Sequence, residues 1–142
     1  MAGGRLMVLG GPQDVALAHA LRHVTPKDRF IDLVGKADLL TAQACLAHAR
    51  LFVGNEGGLT QMAAAAGAPT LALFGPSDEA LMSPWGDAAR VVRGPRTFEQ
   101  IRQQDPGLNQ TLCHMMDLTL DTVVQAAYDL LAQTEATHGR DL

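Results

Sequence analysis

The chain is poor in aromatic residues, poor in cysteine, and without any long apolar run. Phe, Trp and Tyr make up 4% of its 142 residues, against 47% hydrophobic residues in all. Its interior must therefore be built from Leu, Val and Ala, small aliphatic side chains that suit tight packing of helices on a sheet. One domain with a real core is expected at this length. The two cysteines, Cys45 and Cys113, stand far apart and match no metal or redox spacing. They read as small buried or half-buried thiols of a reducing compartment. His114 follows Cys113, but two further ligands at a workable spacing are missing, so no metal is assigned.

No stretch of about 18 apolar residues is present, so no transmembrane segment is expected. The N-terminus lacks the charged region and long apolar stretch of a secretory signal. The expected location is the cytoplasm, with a place at the periphery of the inner membrane left open. A net charge of −4, with Lys and Arg scattered, supplies no basic stripe and speaks against a nucleic-acid partner.

Strand and helix patterns alternate. "RLMVLGG" (5–11), "RFIDLVG" (29–35), "RLFVGN" (50–55), "APTLALFG" (68–75) and "ARVVRG" (89–94) read as strands closed by glycine or a turn. Helical stripes lie between them at 12–24, 38–49 and 58–67, with Pro12 in a first turn, Asp38 as an N-cap and Gly67 as a left-handed C-terminal cap. Residues 94–112 read as a long loop with one helical turn near Phe98 to Arg102. Residues 119–133 form a closing helix, capped by Thr119 or Asp121. The expectation is a single Rossmann-like domain over 1–134, a doubly wound parallel α/β sheet of about five strands in three layers, followed by a polar, frayed tail over 135–142.

In such a sheet, ligands bind at the carboxyl ends of the strands. Three glycine-bearing turns fall there: Gly10-Gly11-Pro12, Asn55-Glu56-Gly57-Gly58 and Gly75-Pro76-Ser77. Glycine admits a close ligand and frees backbone N–H groups. A helix starting near Gly57 would turn its positive end to an anion, worth about 0.3–1 kcal/mol before direct N–H bonds are added. A diphosphate suits this arrangement, although ordinary strand-to-helix turns look the same in sequence. Glu56 would repel that guest unless it caps the helix, bonds sugar hydroxyls or shares a metal. Ser77 and Asp78 read first as caps of the next helix. Asp32 lies about where a ribose-binding acid sits in a dinucleotide fold, but G-x-G-x-x-G is absent, so a nicotinamide enzyme is weakly supported. His19, His23 and His48 lie on helices with no partners in sequence. A phospho-receiver is set aside, because Gly10 and Gly11 stand where its acidic cluster would be.

The stretches "VLGGPQD", "IDLVGKADL", "ARLFVGNEGGLTQMAAAAGAPTLALFGPSD" and "CHMMDLTLDTVVQAAYDLL" follow one another as in the C-terminal domain of glycosyltransferase family nine, the heptosyltransferases of lipopolysaccharide core synthesis and their relatives. This resemblance runs from Leu6 to Leu131. It implies the nucleotide-sugar half of a two-domain GT-B enzyme that binds a nucleoside-diphosphate sugar such as ADP-heptose, with no further cofactor. It places Glu56, Gly57, Gly58 and Gln61 at the donor's diphosphate and sugar, and Gly75, Pro76 and Ser77, with Gly10 and Gly11, on the nucleotide side. It assigns no catalytic residue here, because the family's base lies on the acceptor domain.

Departures from the family pattern are specific. Where the family reads Asn-Asp-Ser/Thr-Gly-x-x-His, this chain has Glu56, Gly57 and Gln61. The longer acid displaces its carboxylate, the hydroxyl is lost, and Gln keeps a donor without positive charge. The family's domain also begins one strand earlier. Without that strand the sheet is expected to close up in the order 2-1-3-4-5, the strand at 5–10 pairing with that at 50–54, unless a partner chain fills the gap. A missing acceptor domain or a second copy are the partners so implied. The alternative is a binding or interaction module without catalysis, descended from such a domain.

Overall fold

The computed structural model describes residues 4–138. It is an α/β chain of parallel strands with flanking helices, as the sequence implies, and it divides into two compact units that meet in sequence at Cys45 and Leu46.

In the first unit, strand β1 (Leu6–Val8) pairs in parallel with β2 (Phe30–Asp32), in the register Leu6 to Phe30 and Val8 to Asp32. Between them Pro12 opens a short 3-10 turn, its fixed φ already suited to a first helical position, and helix α1 (Val15–Val24) follows. The ladder is prolonged by Leu33 N–H to Val8 O and Gly35 N–H to Gly10 O, at 3.0 and 2.9 Å. Helix α2 (Leu39–Leu46) starts as expected from Asp38, whose carboxylate accepts the Thr41 N–H at 2.7 Å.

The second unit is built on the order β3-β4-β5: β3 (Phe52–Asn55), β4 (Thr70–Phe74) and β5 (Ala89–Arg93), all parallel. In the central β4, Thr70, Leu71, Ala72 and Phe74 are fully buried, the near-continuous run of a parallel strand covered on both faces. Helix α3 (Gly58–Ala65) packs on β3 and β4, and the buried Ala63 shows why its alanines matter: with no side chain beyond Cβ, the helix axis can approach the sheet closely. Gly67 has φ +81° just past this helix, and Ala68 N–H returns to Ala63 O at 3.0 Å, the left-handed stop expected of glycine there. Then come α4 (Glu79–Met82), α5 (Phe98–Gln104), α6 (Thr111–Met115) and α7 (Leu120–His138), the last packing on β4 and β5.

Two sequence expectations need correction. The pairing of β1 with β3 is not among the ladders, which are β1-β2 and β3-β4-β5. β1 is only three residues long, and its ladder bonds go to β2. In the segment 94–112 the helix lies where one turn was expected but runs on to Gln104, because Thr97 and Gln100 form a reciprocal capping box that starts α5, and Ile101 is buried in the core. The closing helix also runs on to His138, so residues 135–138 are helical rather than a frayed tail, and 139–142 lie outside the described residues.

Replacing Ala63 by Leu forces extra methylenes between α3 and the sheet. Chemical denaturation of A63L should show a loss of about 1–3 kcal/mol with an unchanged denaturant slope.

Candidate functional site

The parallel register of the second unit aligns the carboxyl ends of its strands. Asn55 stands beside Leu73, and Phe74 beside Arg93. The turns that follow β3 and β4 therefore leave the sheet side by side, and Glu56 N–H bonds Leu73 O at 2.9 Å.

After β3 the backbone swings through Gly57 at φ 157°, ψ −174°, a conformation nearly restricted to glycine, and enters α3 at Gly58. Thr60, itself buried, returns its hydroxyl to the Asn55 carbonyl at 2.5 Å and fixes the turn. No side chain caps this helix, whose first intrahelical bond is Gln61 N–H to Gly57 O at 3.2 Å. The amides of its first turn thus remain open for an acceptor, with the positive end of the helix behind them. A Cβ added to Gly58 would meet nothing within 4 Å, so nothing crowds the first residue of this helix.

The two turns are sewn together by side chains. Ser77 donates its hydroxyl to the Glu56 carboxylate at 2.9 Å, and Gln61 Nε2 donates to the Met82 carbonyl at 2.9 Å. Glu56 therefore caps nothing. Asp78 takes the cap of α4 alone, accepting the Ala80 N–H at 2.9 Å. Glu56, Gly57, Gly58, Gln61, Gly75, Pro76 and Ser77 all fall within this one unit. Gly10 and Gly11 belong to the other, and there Gly11 N–H is already bonded to the Asp14 carboxylate at 2.9 Å. Asp32 is committed as well. Its carboxyl is held below the ordinary value, first by the Lys36 hydrogen bond at 3.0 Å, then by the Val34 N–H, with Arg22 also paired to it.

Arg93 and Glu79 escaped the sequence reading. At the end of β5 the Arg93 guanidinium donates to Gly75 O at 2.6 Å and to Ser77 O at 2.5 Å, and both of its faces toward α4 meet the Glu79 carboxylate, at 3.1 and 2.5 Å. Its side chain is only 10% exposed. The signal was an arginine straight after the apolar pair Val91-Val92 at the end of a strand, where a half-buried cation must find acceptors. Burial works against the charge on Glu79, but Arg93 outweighs it and holds the carboxyl below its ordinary value of 4.5. Among the described residues, no group of His, Cys, Asp and Glu is arranged to hold a metal ion, and His19, His23 and His48 are exposed.

The family profile described as glycosyltransferase family 9 (heptosyltransferase) matches residues 2–110. The chain belongs to glycosyltransferase family 9. Similar proteins include lipopolysaccharide heptosyltransferase 2 of Escherichia coli (strain K12), 34% identical over 107 residues, which span 74% of this chain and 30% of that one. Lipooligosaccharide heptosyltransferase 2 of Haemophilus influenzae is 26% identical over 137 residues, 92% of this chain and 39% of the relative. The family 9 chain thus spans well under half the length of these curated relatives. In fold it is similar to the glycosyl transferase family 9 structure from Veillonella parvula, with TM-score 0.76, 22% identity, and coverage of 91% of this chain and 37% of the other. It is similar also to the E. coli ADP-heptose lps heptosyltransferase II structure, with TM-score 0.72, 24% identity, and coverage of 94% and 38%.

Because the folded-state pKa of Glu79 is depressed, its pairing with Arg93 adds stability that is present above the ordinary carboxylate value and is lost as pH falls through the lower folded value. Denaturation midpoints of the family 9 chain and its Glu79→Gln variant should therefore differ most above about pH 5 and converge in stronger acid. Arg93→Lys, which cannot span both carbonyls and the carboxylate, should cost about 1–3 kcal/mol at neutral pH by the same measurement.

Proposed function

We propose that this chain is the donor-binding domain of a heptosyltransferase-like glycosyltransferase of cell-envelope glycan synthesis, seating a nucleoside-diphosphate sugar across the turns after β3 and β4. The observation that carries this reading is the N-terminus of α3 at the carboxyl edge of the sheet, without a side-chain cap and uncrowded at Gly58. Family membership supports it, as does the likeness to a structure whose own name specifies ADP-heptose.

In this reading the diphosphate accepts hydrogen bonds from the first amides of α3 and gains from its positive end. Glu56 and Ser77 form the polar floor between diphosphate and sugar, Gln61 borders the sugar, and Gly75 to Ser77 line the nucleotide side. In transfer, the same amides would stabilise the departing diphosphate as charge develops on it. The base that deprotonates the acceptor hydroxyl is sought on an acceptor domain, as the family resemblance implies. No metal enters this scheme.

A second reading, a binding module without catalysis, is favoured by one observation. Glu56 and Gln61, standing where the family pattern has Asp and His, are both engaged in internal hydrogen bonds.

Calorimetric titration with ADP, UDP and GDP, then ADP-heptose, decides between them. Donor binding is expected to appear as one nucleotide bound with Kd below about 1 mM. Gly58→Leu, which adds a side chain at the uncrowded first residue of α3, should weaken it at least about tenfold. Its folding stability should stay within about 0.5 kcal/mol of the parent. Absence of binding at millimolar nucleotide would overturn the donor reading in favour of the interaction module.

A further inference from the structure

Behind the Gly75–Ser77 turn lies a buried polar chain that the proposed function does not use. Asp105 closes α5 and His114 lies on α6, and they are only 8% and 5% exposed. His114 Nε2 is 3.0 Å from Asp105 Oδ2, an oxygen that also accepts the Gln110 N–H at 2.9 Å. On the other side of the ring, Nδ1 is 3.3 Å from Arg96 Nη2. Arg96 is fixed in turn by Gln104 Oε1, at 2.5 Å, and by an ion pair with Asp117.

This arrangement selects one tautomer. A guanidinium only donates, so Nδ1 accepts, and Nε2–H is donated to Asp105. With that tautomer His114 satisfies both neighbours. The Asp105 carboxyl is held below its ordinary value by the His114 hydrogen bond first, then by the Gln110 N–H, so the acceptor of the pair stays ionised.

What the chain holds in place is the cover of the turn. The residue after His114, Met115, lies on Gly75: a Cβ there would come within 2.5 Å of its Sδ and 3.1 Å of its Cγ. Two residues on, Asp117 lies on Gly94, where a Cβ would meet its Cβ at 2.6 Å and its carbonyl carbon at 2.9 Å. Gly75 follows β4 and Gly94 follows β5, so residues 115–117 cross the carboxyl ends of both strands. We propose that His114 is a positioning residue for the donor seat: locked between Asp105 and Arg96, it holds Met115 on Gly75 and so fixes the Gly75–Ser77 turn, to which Arg93 also bonds. That the turn serves a donor rests on the function proposed above. The positioning itself does not.

Hydrogen–deuterium exchange at the Ser77 and Asp78 amides tests it without any ligand. His114→Ala, and independently Met115→Ala, which leaves the buried polar chain intact, should speed exchange at these amides about tenfold, with β4 itself unchanged. His114→Gln, which keeps a donor for Asp105, should restore most of the protection. If turn exchange in M115A, and in H114A where it folds, matches the parent, the proposal is overturned. It is overturned also if H114Q exchanges as fast as H114A. Nucleotide titration of the same variants separates the two ideas. Looser turns with no nucleotide bound by any form would retire the donor reading while upholding the positioning role, whereas equal affinity and equal exchange would retire the positioning role alone.

Discussion

Arg93 reaches from the end of β5 to the turn that follows β4 and takes the carbonyls of Gly75 and Ser77 into one guanidinium fork, with Glu79 closing it from α4. The geometry of the carboxyl edge depends on this interaction. Two half-buried carbonyls pointing inward from a Gly-Pro-Ser turn would each cost about 1–3 kcal/mol if left without a donor. A cation at this depth would be still more costly without acceptors. Each need answers the other, and once both are met the turn has a single position. Ser77 is then held where its hydroxyl meets Glu56, and α4 where the Met82 carbonyl meets Gln61. The turn after β3 is thereby indexed to the turn after β4 through side chains as well as through the ladder.

The same fork has an electrostatic consequence. Arg93, which bonds the turn after β4, is spent on Glu79 and on backbone oxygens, while Glu56 and Asp78 add negative charge at the turns. An anion seated before α3 would meet amides and a helix end rather than a lysine or arginine. The dipole contributes on the order of 0.3–1 kcal/mol, so the greater part of any affinity must come from directed N–H bonds and from contacts to base and sugar. Weak, geometry-dependent binding is what such a seat provides on its own. That is why the rigidity supplied by Arg93 and by Met115 bears on function.

The strands, the Ala-rich helix and the glycine turns could be read directly from the chain, because each is written locally. "APTLALF" is a buried strand in its own composition, and Gly67 marks a stop by its backbone freedom alone. The turns that carry Glu56, Gly57 and Gly58 and that run from Gly75 to Ser77 were legible for the same reason, whereas Gln61 was singled out by the family resemblance alone. Arg93 was half legible: its place at the end of an apolar strand signalled a buried cation, but nothing in sequence said which carbonyls it would hold. Asp105 and His114 were not legible, since their pairing depends on how two short helices fold back over the sheet. The separate ladders were missed because pairing order is set by a balance of edge bonds that no local pattern records.

Three departures from the family pattern, Glu56, Gly57 and Gln61, turn out to be linked in this chain. Gly57 adopts φ 157°, ψ −174°, which a Ser or Thr at that place would resist. From this turn the Glu56 carboxylate reaches Ser77, and Gln61, uncharged and able to donate, reaches the Met82 carbonyl. Glu56 and Gln61 each have a partner inside the protein, so both add to the stiffness of the seat. A ligand that needs Glu56 must compete with Ser77 for it, whereas a ligand that needs only the amides of α3 finds them already aimed. With Glu56 and Gln61 engaged inside the protein, what the turn leaves open is the backbone at the start of α3.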